Sequence, residues 1–249
     1  MPNFIVIIPA RYGASRLPGK PLLDLVGKPV IAHVIDCANK SGATQVVVAT
    51  DDTRIQQVAE AYGSRVVMTR QDHLSGTDRI AEAIEILKLG GDEIVINVQG
   101  DEPDMPPALI EQMATALAQK KDVNLCTACT PLDSQELVND ANVVKVVRDK
   151  NDFALYFSRA PVAFDRDANG QYAYRRHLGI YGYRAAFVGE FSAAPVCALE
   201  QTEKLEQLRA LYMGEKIYCP DAVVAPGIGI DTPQDIARAR AHFSSDHGE

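Results

Sequence analysis

Three cations, two glycines and a serine crowd into Arg11-Tyr12-Gly13-Ala14-Ser15-Arg16-Leu17-Pro18-Gly19-Lys20, directly after the apolar run at residues 4–8. A buried strand that empties into such a loop is where open α/β sheets bind ligands. Glycines let backbone N–H groups approach phosphate oxygens, and Arg11, Arg16 and Lys20 supply the opposite charge, so the loop suits a polyphosphate. Its spacing matches neither the dinucleotide fingerprint nor the Walker A loop, and a solvated basic turn uses the same residue types.

Gln99-Gly100-Asp101 follows a second apolar run, residues 93–98, which brings the Asp101 carboxylate to the same edge of the sheet. Gly100 is expected to leave room for a ligand. A carboxylate there can hold Mg²⁺, a hard cation that takes oxygen ligands and is commonly shared with substrate phosphates. Asp231, after the strand-like residues 225–230, is the natural second carboxylate, although plain turn chemistry accommodates both aspartates. Ser75-Gly76-Thr77-Asp78-Arg79 precedes a helical stripe, where a Ser, Thr or Asp is an N-cap whatever else it does. Cys126 and Cys129 are not read as a metal or redox pair: no second cysteine pair lies at zinc spacing, and strand positions three apart face opposite ways. Cys37, Cys197 and Cys219 read as small apolar fillers.

Short β-rich runs alternating with amphipathic segments must position these groups, which predicts an α/β fold: a mostly parallel sheet flanked by helices. Residues 4–8, 45–49, 65–68, 93–98 and 125–131 read as strands. Val30, Ile31, Val34, Ile35 and Ala38 mark one helical stripe, Ile80, Ile84 and Leu87 another, and a further helix follows Pro106-Pro107. After residue 131 the rhythm changes. Residues 143–147 and 153–158 are extended and 164–176 form a polar loop, so 131–214 reads as an inserted smaller lobe within one domain spanning 1–249. The remaining core is 1–130 and 215–249. Residues 202–213 are expected as one helix with Leu205, Leu208 and Tyr212 on a face, followed by a strand at 217–219. Thr232-Pro233-Gln234-Asp235 opens the last helix with an N-cap, a proline and an acid three residues on.

The chain has 249 residues, 47% hydrophobic and 23% charged, with a net charge of −8, so its bulk field disfavours nucleic acid and anionic membrane surfaces. No apolar stretch nears the ~20 residues of a membrane helix. The start, Met1-Pro2-Asn3, lacks a basic n-region, so a signal peptide is not expected, and five scattered cysteines suit reduced thiols in the cytoplasm.

Ile7-Ile8-Pro9-Ala10-Arg11-Tyr12 with Ser15-Arg16-Leu17-Pro18-Gly19-Lys20-Pro21-Leu22 resembles the opening signature of the sugar-acid cytidylyltransferases, in particular the branch acting on 3-deoxy-manno-octulosonate (Kdo). Six more segments resemble that family in order: Ser75-Gly76-Thr77-Asp78-Arg79, Asn97-Val98-Gln99-Gly100-Asp101-Glu102-Pro103, Tyr156-Phe157-Ser158-Arg159, His177-Leu178-Gly179-Ile180-Tyr181, Leu205-Glu206-Gln207-Leu208-Arg209 and Gly229-Ile230-Asp231-Thr232-Pro233. The likeness spans residues 5–235.

The resemblance implies a nucleotide-diphospho-sugar transferase-like, Rossmann-like fold and a transfer of CMP from CTP to Kdo, which activates the sugar for lipopolysaccharide synthesis. It implies Mg²⁺ on Asp101 and Asp231, phosphate contacts from Arg11, Arg16 and Lys20, and nucleotide contacts from Ala10, Ser15, Ser75, Arg79 and Gln99. It groups Arg159, His177, Tyr181, Glu206 and Gln207 around the sugar acid, and it implies a homodimer with much of the contact from 131–214. From the residues alone these five have duller readings: an ion pair, a surface strand residue, a core tyrosine and the solvated side of a helix. A cytidylyltransferase for another acidic sugar, such as sialic acid or an amino analogue of Kdo, a nonenzymatic nucleotide-sensing module and a glycosyltransferase with a similar sheet remain open at this level.

Overall fold

The computed structural model describes residues 2–13, 17–167, 170 and 172–246. The first half winds β1 (Phe4–Ala10), the two-residue strands β2 (Asp24–Leu25) and β3 (Lys28–Pro29), α1 (Val30–Asn39), β4 (Gln45–Thr50), α2 (Thr53–Ala61), β5 (Arg65–Met68), α3 (Gly76–Leu87), β6 (Ile94–Asn97) and α4 (Pro107–Gln119). Along β1, Phe4, Val6 and Ile8 face α1 and α4 while Ile5 and Ile7 face α3, and all five are buried. Burial on both faces is why this strand reads as an unbroken apolar run.

Strand β1 pairs in parallel with β4 on one side and β6 on the other. The chain moves outward from β1 through β4 to β5, then α3 carries it back across to β6. The order of strands therefore reverses at β1, and the crevice beyond the C-terminal ends of β1 and β6 is the switch point where such sheets bind ligands.

The second half adds β7 (Leu125–Pro131), α5 (Gln135–Asn139), β8 (Lys145–Arg148), β9 (Ala154–Ser158), β10 (Arg175–Arg184), α6 (Ala185–Ala193), α7 (Ala198–Glu203), α8 (Gln207–Tyr212), β11 (Ile217–Tyr218) and α9 (Pro233–Asp246). The main path of the sheet runs β11-β7-β10-β6-β1-β4-β5, with β8 and β9 branching from β10. Within 131–214, only β8 and β9 form an antiparallel arm. Strand β10 lies between β7 and β6, antiparallel to both, and α6 packs on α3.

Strand β10 was not anticipated, and Gly182 explains why. A Cβ there would lie 2.7 Å from Cys126 Sγ, 3.0 Å from Ile96 Cδ1 and 3.1 Å from Leu117 Cδ1. Close packing of β10 against β7, β6 and α4 demands glycine in a strand interior, which weakens the apolar signal. Gly182→Ala should lower stability by about 1–3 kcal/mol, the usual cost of overpacking, read as a fall in the denaturation midpoint with unchanged slope.

Two further expectations change, and one about the cysteines holds. The helix expected at 202–213 is broken into α7 and α8 by Lys204, which takes the left-handed conformation at φ 54°, and Tyr212 is exposed. Residues 225–230 form no strand. The two cysteines on β7 do face opposite ways, Cys126 toward Met113 and Cys129 toward the Cys219 carbonyl, and all five cysteines are free.

Candidate active site

The cleft opens where β1 and β6 end. It is lined by Ala10 at the end of β1 and Arg11 just after it, Ser75, Gly76 and Arg79 at the start of α3, Gln99 to Asp101 after β6, and Lys20 and Asp231. These include eight of the expected residues: Ala10, Arg11, Lys20, Ser75, Arg79, Gln99, Asp101 and Asp231. Ser15 and Arg16 lie outside the described residues.

Asp101 and Asp231 meet because residues 227–230 dock on the loop after β6. Gly227 N–H donates to the Asp104 carbonyl at 3.2 Å, and Ile230 N–H to the Asp101 carbonyl at 2.9 Å. Ile230 is buried with Leu25, Val30, Ile236 and Ala239, which fixes the chain just before Asp231. The Asp235 carboxylate then accepts from the N–H groups of Asp231 and Thr232, and Thr232 Oγ1 accepts from Asp235 N–H, completing the expected cap of α9. Gly100 has a different use from the one expected. A Cβ on it would sit 3.0 Å from the Pro9 carbonyl oxygen, so its bareness lets the β6 loop close on β1.

Lys20 is buried, and its ammonium lies between the two carboxylates, donating to Asp101 Oδ2 at 2.6 Å and Asp231 Oδ1 at 3.3 Å. In this state it is engaged with the aspartates and not held out as a free phosphate contact. Glu102, next in line, is pushed up to about 7, first by burial and then by the charge of Asp101. The two aspartates offer hard oxygen donors around one cationic centre, which fits Mg²⁺, an ion that keeps several waters and substrate oxygens beside one or two carboxylates.

Ser75 caps α3 as expected: its hydroxyl accepts from Asp78 N–H, and Asp78 returns the bond to Ser75 N–H. Arg79 is buried with Thr69, the Arg70 carbonyl and Asp51 as partners, and burial pulls its pKa down. Gln99 donates to Asn97 Oδ1 at 3.1 Å.

From there a polar path leads to the second group. Tyr183 lies beside Asn97 and Thr77, and the Thr77 hydroxyl donates to Glu206 Oε2 at 2.7 Å. Glu206 has its pKa raised, above all by burial, and Arg209 Nη2 stands 3.2 Å from Oε1. Tyr181 stacks on Tyr183 at 6.0 Å and meets the His177 ring at 5.6 Å. Burial and Arg176 lower the His177 pKa to about 3, so its imidazole is neutral at physiological pH, with Nε2 3.0 Å from Thr127 Oγ1. Gln207 is buried, its Nε2 without a hydrogen-bond partner.

Arg159 stands apart from the cleft lining. Its Nε donates to the Glu203 carbonyl at 2.6 Å, Nη1 to Ala141 at 2.8 Å and Nη2 to Lys204 at 3.4 Å. Three of the five guanidinium N–H groups are thus used, which leaves two. Thr77, Asn97, Tyr183 and His73, which also lines the cleft, were not singled out from the sequence. Asn97 carried a signal: a polar residue ending an apolar strand, here 1% exposed.

A ligand crevice at the sheet's switch point, edged by cations and two converging carboxylates, is the layout of a nucleotidyltransferase. The cytidylyltransferase family model matches residues 5–217, and the chain belongs to that family, on the branch of the 3-deoxy-manno-octulosonate cytidylyltransferases. It is 52% identical over 242 residues to the 3-deoxy-manno-octulosonate cytidylyltransferase of Thioalkalivibrio sulfidiphilus, covering 95% of this chain and 97% of that one. With 3-deoxy-manno-octulosonate cytidylyltransferase 1 of Hydrogenovibrio crunogenus it shares 49% identity, covering 96% and 95%. A solved CMP:2-keto-3-deoxy-manno-octonic acid synthetase complexed with CTP superposes with a TM-score of 0.90 at 41% identity, covering 98% of this chain and 99% of that one. A 4-diphosphocytidyl-2C-methyl-D-erythritol synthase from Anaerococcus prevotii, at 14% identity and a TM-score of 0.63, shares the fold.

Proposed function

We propose that this protein transfers CMP from CTP to the anomeric C2 hydroxyl of Kdo, giving CMP-Kdo and pyrophosphate. The observation that carries the reading is the run of neighbours from Gln99 through Asn97, Tyr183 and Thr77 to Glu206, with Tyr181 and His177 in ring contact alongside, which supports two adjoining substrate sites. The 52% identity to a protein named for this activity supports the choice of sugar.

Cytosine is assigned to the pocket between the Ala10 main chain, Ser75, Arg79 and Gln99, where groups fixed by a helix cap and a strand end can read its hydrogen-bonding edge. Arg11 at the cleft mouth and Lys20 serve the phosphates. Glu206, Gln207, Tyr181 and His177 hold the sugar hydroxyls, and Arg159 takes the C1 carboxylate through its two remaining N–H groups. The C2 oxygen then attacks the α-phosphorus opposite the departing pyrophosphate, and catalysis is largely positioning and charge stabilisation. Asp101 and Asp231 would hold Mg²⁺, which when bound supplies positive charge to the phosphates.

The protein is further proposed to act as a homodimer in the cytoplasm. Leu155, 60% exposed on β9, and Phe164, 85% exposed, are apolar side chains of the 131–214 segment that a second copy would cover. No helix among the described residues is long and apolar enough to cross a membrane.

Nucleotide choice tests the reading. With Kdo present, pyrophosphate release should be at least tenfold faster with CTP than with ATP or GTP, since a pocket built for a pyrimidine edge leaves purines unpaired. Comparable turnover with purine nucleotides would remove the assignment.

A further inference from the structure

Three oxygens surround the Lys20 ammonium: Asp101 Oδ2 at 2.6 Å, the Ile230 carbonyl oxygen at 2.6 Å and Asp231 Oδ1 at 3.3 Å. The two carboxylate oxygens are those assigned above to a divalent cation. We propose that Lys20 is a place-holding cation: in the nucleotide-free protein its ammonium fills the seat between Asp101 and Asp231, keeps the two carboxylates facing one another, and must leave before a divalent ion takes that seat. This rests on the proposed metal role of the two aspartates.

Electrostatics and size both require the exchange. Two carboxylates brought onto one point repel unless a cation lies between them, and Lys20, its side chain 10% exposed against 33% for Asp101 and 63% for Asp231, is that cation. An Mg²⁺ ion binds oxygen at 2.0–2.1 Å, inside the space the ammonium occupies, and a divalent charge beside an ammonium at such range is strongly disfavoured. The lysine can move while its backbone stays. It opens a single helical turn, Lys20–Leu22, whose entry is set by Gly19 at φ 72°, and its charge rides on a flexible four-carbon stem. Arg11 and Lys20 border the same cleft, so phosphates bound there offer the displaced ammonium new acceptors. Nucleotide and metal then favour each other's binding, because one ligand removes the obstacle to the other.

The exchange is measurable without turnover. Mn²⁺ binding to the nucleotide-free protein, followed by the EPR signal of free Mn²⁺, is compared for wild type, Lys20→Met, Lys20→Arg and Asp101→Asn. Lys20→Met should bind Mn²⁺ at least tenfold more tightly than wild type, Lys20→Arg, which retains the charge, should gain no such affinity, and Asp101→Asn should bind more weakly. Equal or weaker binding by Lys20→Met, with Asp101→Asn still weakened, overturns the place-holding role and leaves the aspartate site standing. Unchanged binding by Asp101→Asn overturns the metal reading and the inference with it. Lys20→Met removes the cation from two facing carboxylates, so a second measurement uses the wild-type protein. Reductive methylation of lysines, read by mass spectrometry, should find Lys20 protected without metal and modified several-fold faster at saturating Mg²⁺. A rate that Mg²⁺ leaves unchanged overturns the proposal.

Discussion

Asp101→Asn and Asp231→Asn are each expected to lower turnover by about 10²-fold or more while the protein stays folded. Asparagine keeps the size and one acceptor oxygen but removes the charge. The loop connections that bring the two positions together are backbone bonds, Gly227 to Asp104 and Ile230 to Asp101, which neither substitution touches. The architecture of the cleft should therefore survive, and what is lost is the pair of anionic oxygens. Turnover measured across a range of Mg²⁺ concentrations should show both a lower maximum and a shift to higher Mg²⁺. A variant that keeps wild-type turnover and Mg²⁺ dependence takes that residue out of the reaction.

The second large effect is expected at Arg159. Its guanidinium is oriented by the carbonyls of Ala141, Glu203 and Lys204, and the Arg159 backbone N–H donates to Glu203 Oε2 at 3.0 Å, beside the Ser158 hydroxyl on Oε1 at 2.7 Å. These bonds tie the arm of β8 and β9 to the turn before α8, and α8 follows directly on Glu206. A guanidinium fixed in this way has two N–H groups left for the carboxylate of a sugar acid, a geometry that an ammonium cannot reproduce. Arg159→Ala should cost about 2–5 kcal/mol in catalytic efficiency toward Kdo, and Arg159→Lys less, with CTP binding nearly unchanged because the nucleotide contacts lie in other segments. A purely structural tie makes the opposite forecast: a lower melting temperature with intact Kdo kinetics in the folded fraction. Kdo saturation curves, CTP binding and melting curves on the same two variants separate these outcomes.

Strands β1, β4 and β6 were legible because a strand buried on both faces reads as a nearly continuous apolar run, and such runs are hard to mistake when helical stripes separate them. The nucleotide half of the site was legible for a related reason. Its residues sit immediately after those strands, so their order along the chain already places them at one edge. The sugar half was less so. His177 and Tyr181 lie on β10, whose glycines dilute the β pattern. The turn between α7 and α8 depends on Lys204 adopting a left-handed conformation that nothing in its side chain announces. Residues 225–230 carry Pro226, Gly227 and Gly229, which disfavour a strand, and their backbone bonds from Gly227 and Ile230 run instead to the loop at 101–104. The engagement of Lys20 with Asp101 and Asp231 joins residues 81 and 211 positions apart, a contact that only tertiary structure can reveal. Thr77 and Tyr183 were overlooked because each has an ordinary role, in a helix's first turn and in a core, and their link to Glu206 appears only when α3, β10 and α8 are brought together.

Incubation of the purified protein with CTP, Kdo and Mg²⁺, followed by ³¹P NMR and mass spectrometry, shows whether it joins CMP to Kdo. A single new sugar–CMP phosphodiester should form one for one with pyrophosphate, with no pyrophosphate when Kdo is left out. Pyrophosphate released at the same rate without Kdo, or Kdo recovered unmodified after CTP is consumed, would contradict this reading.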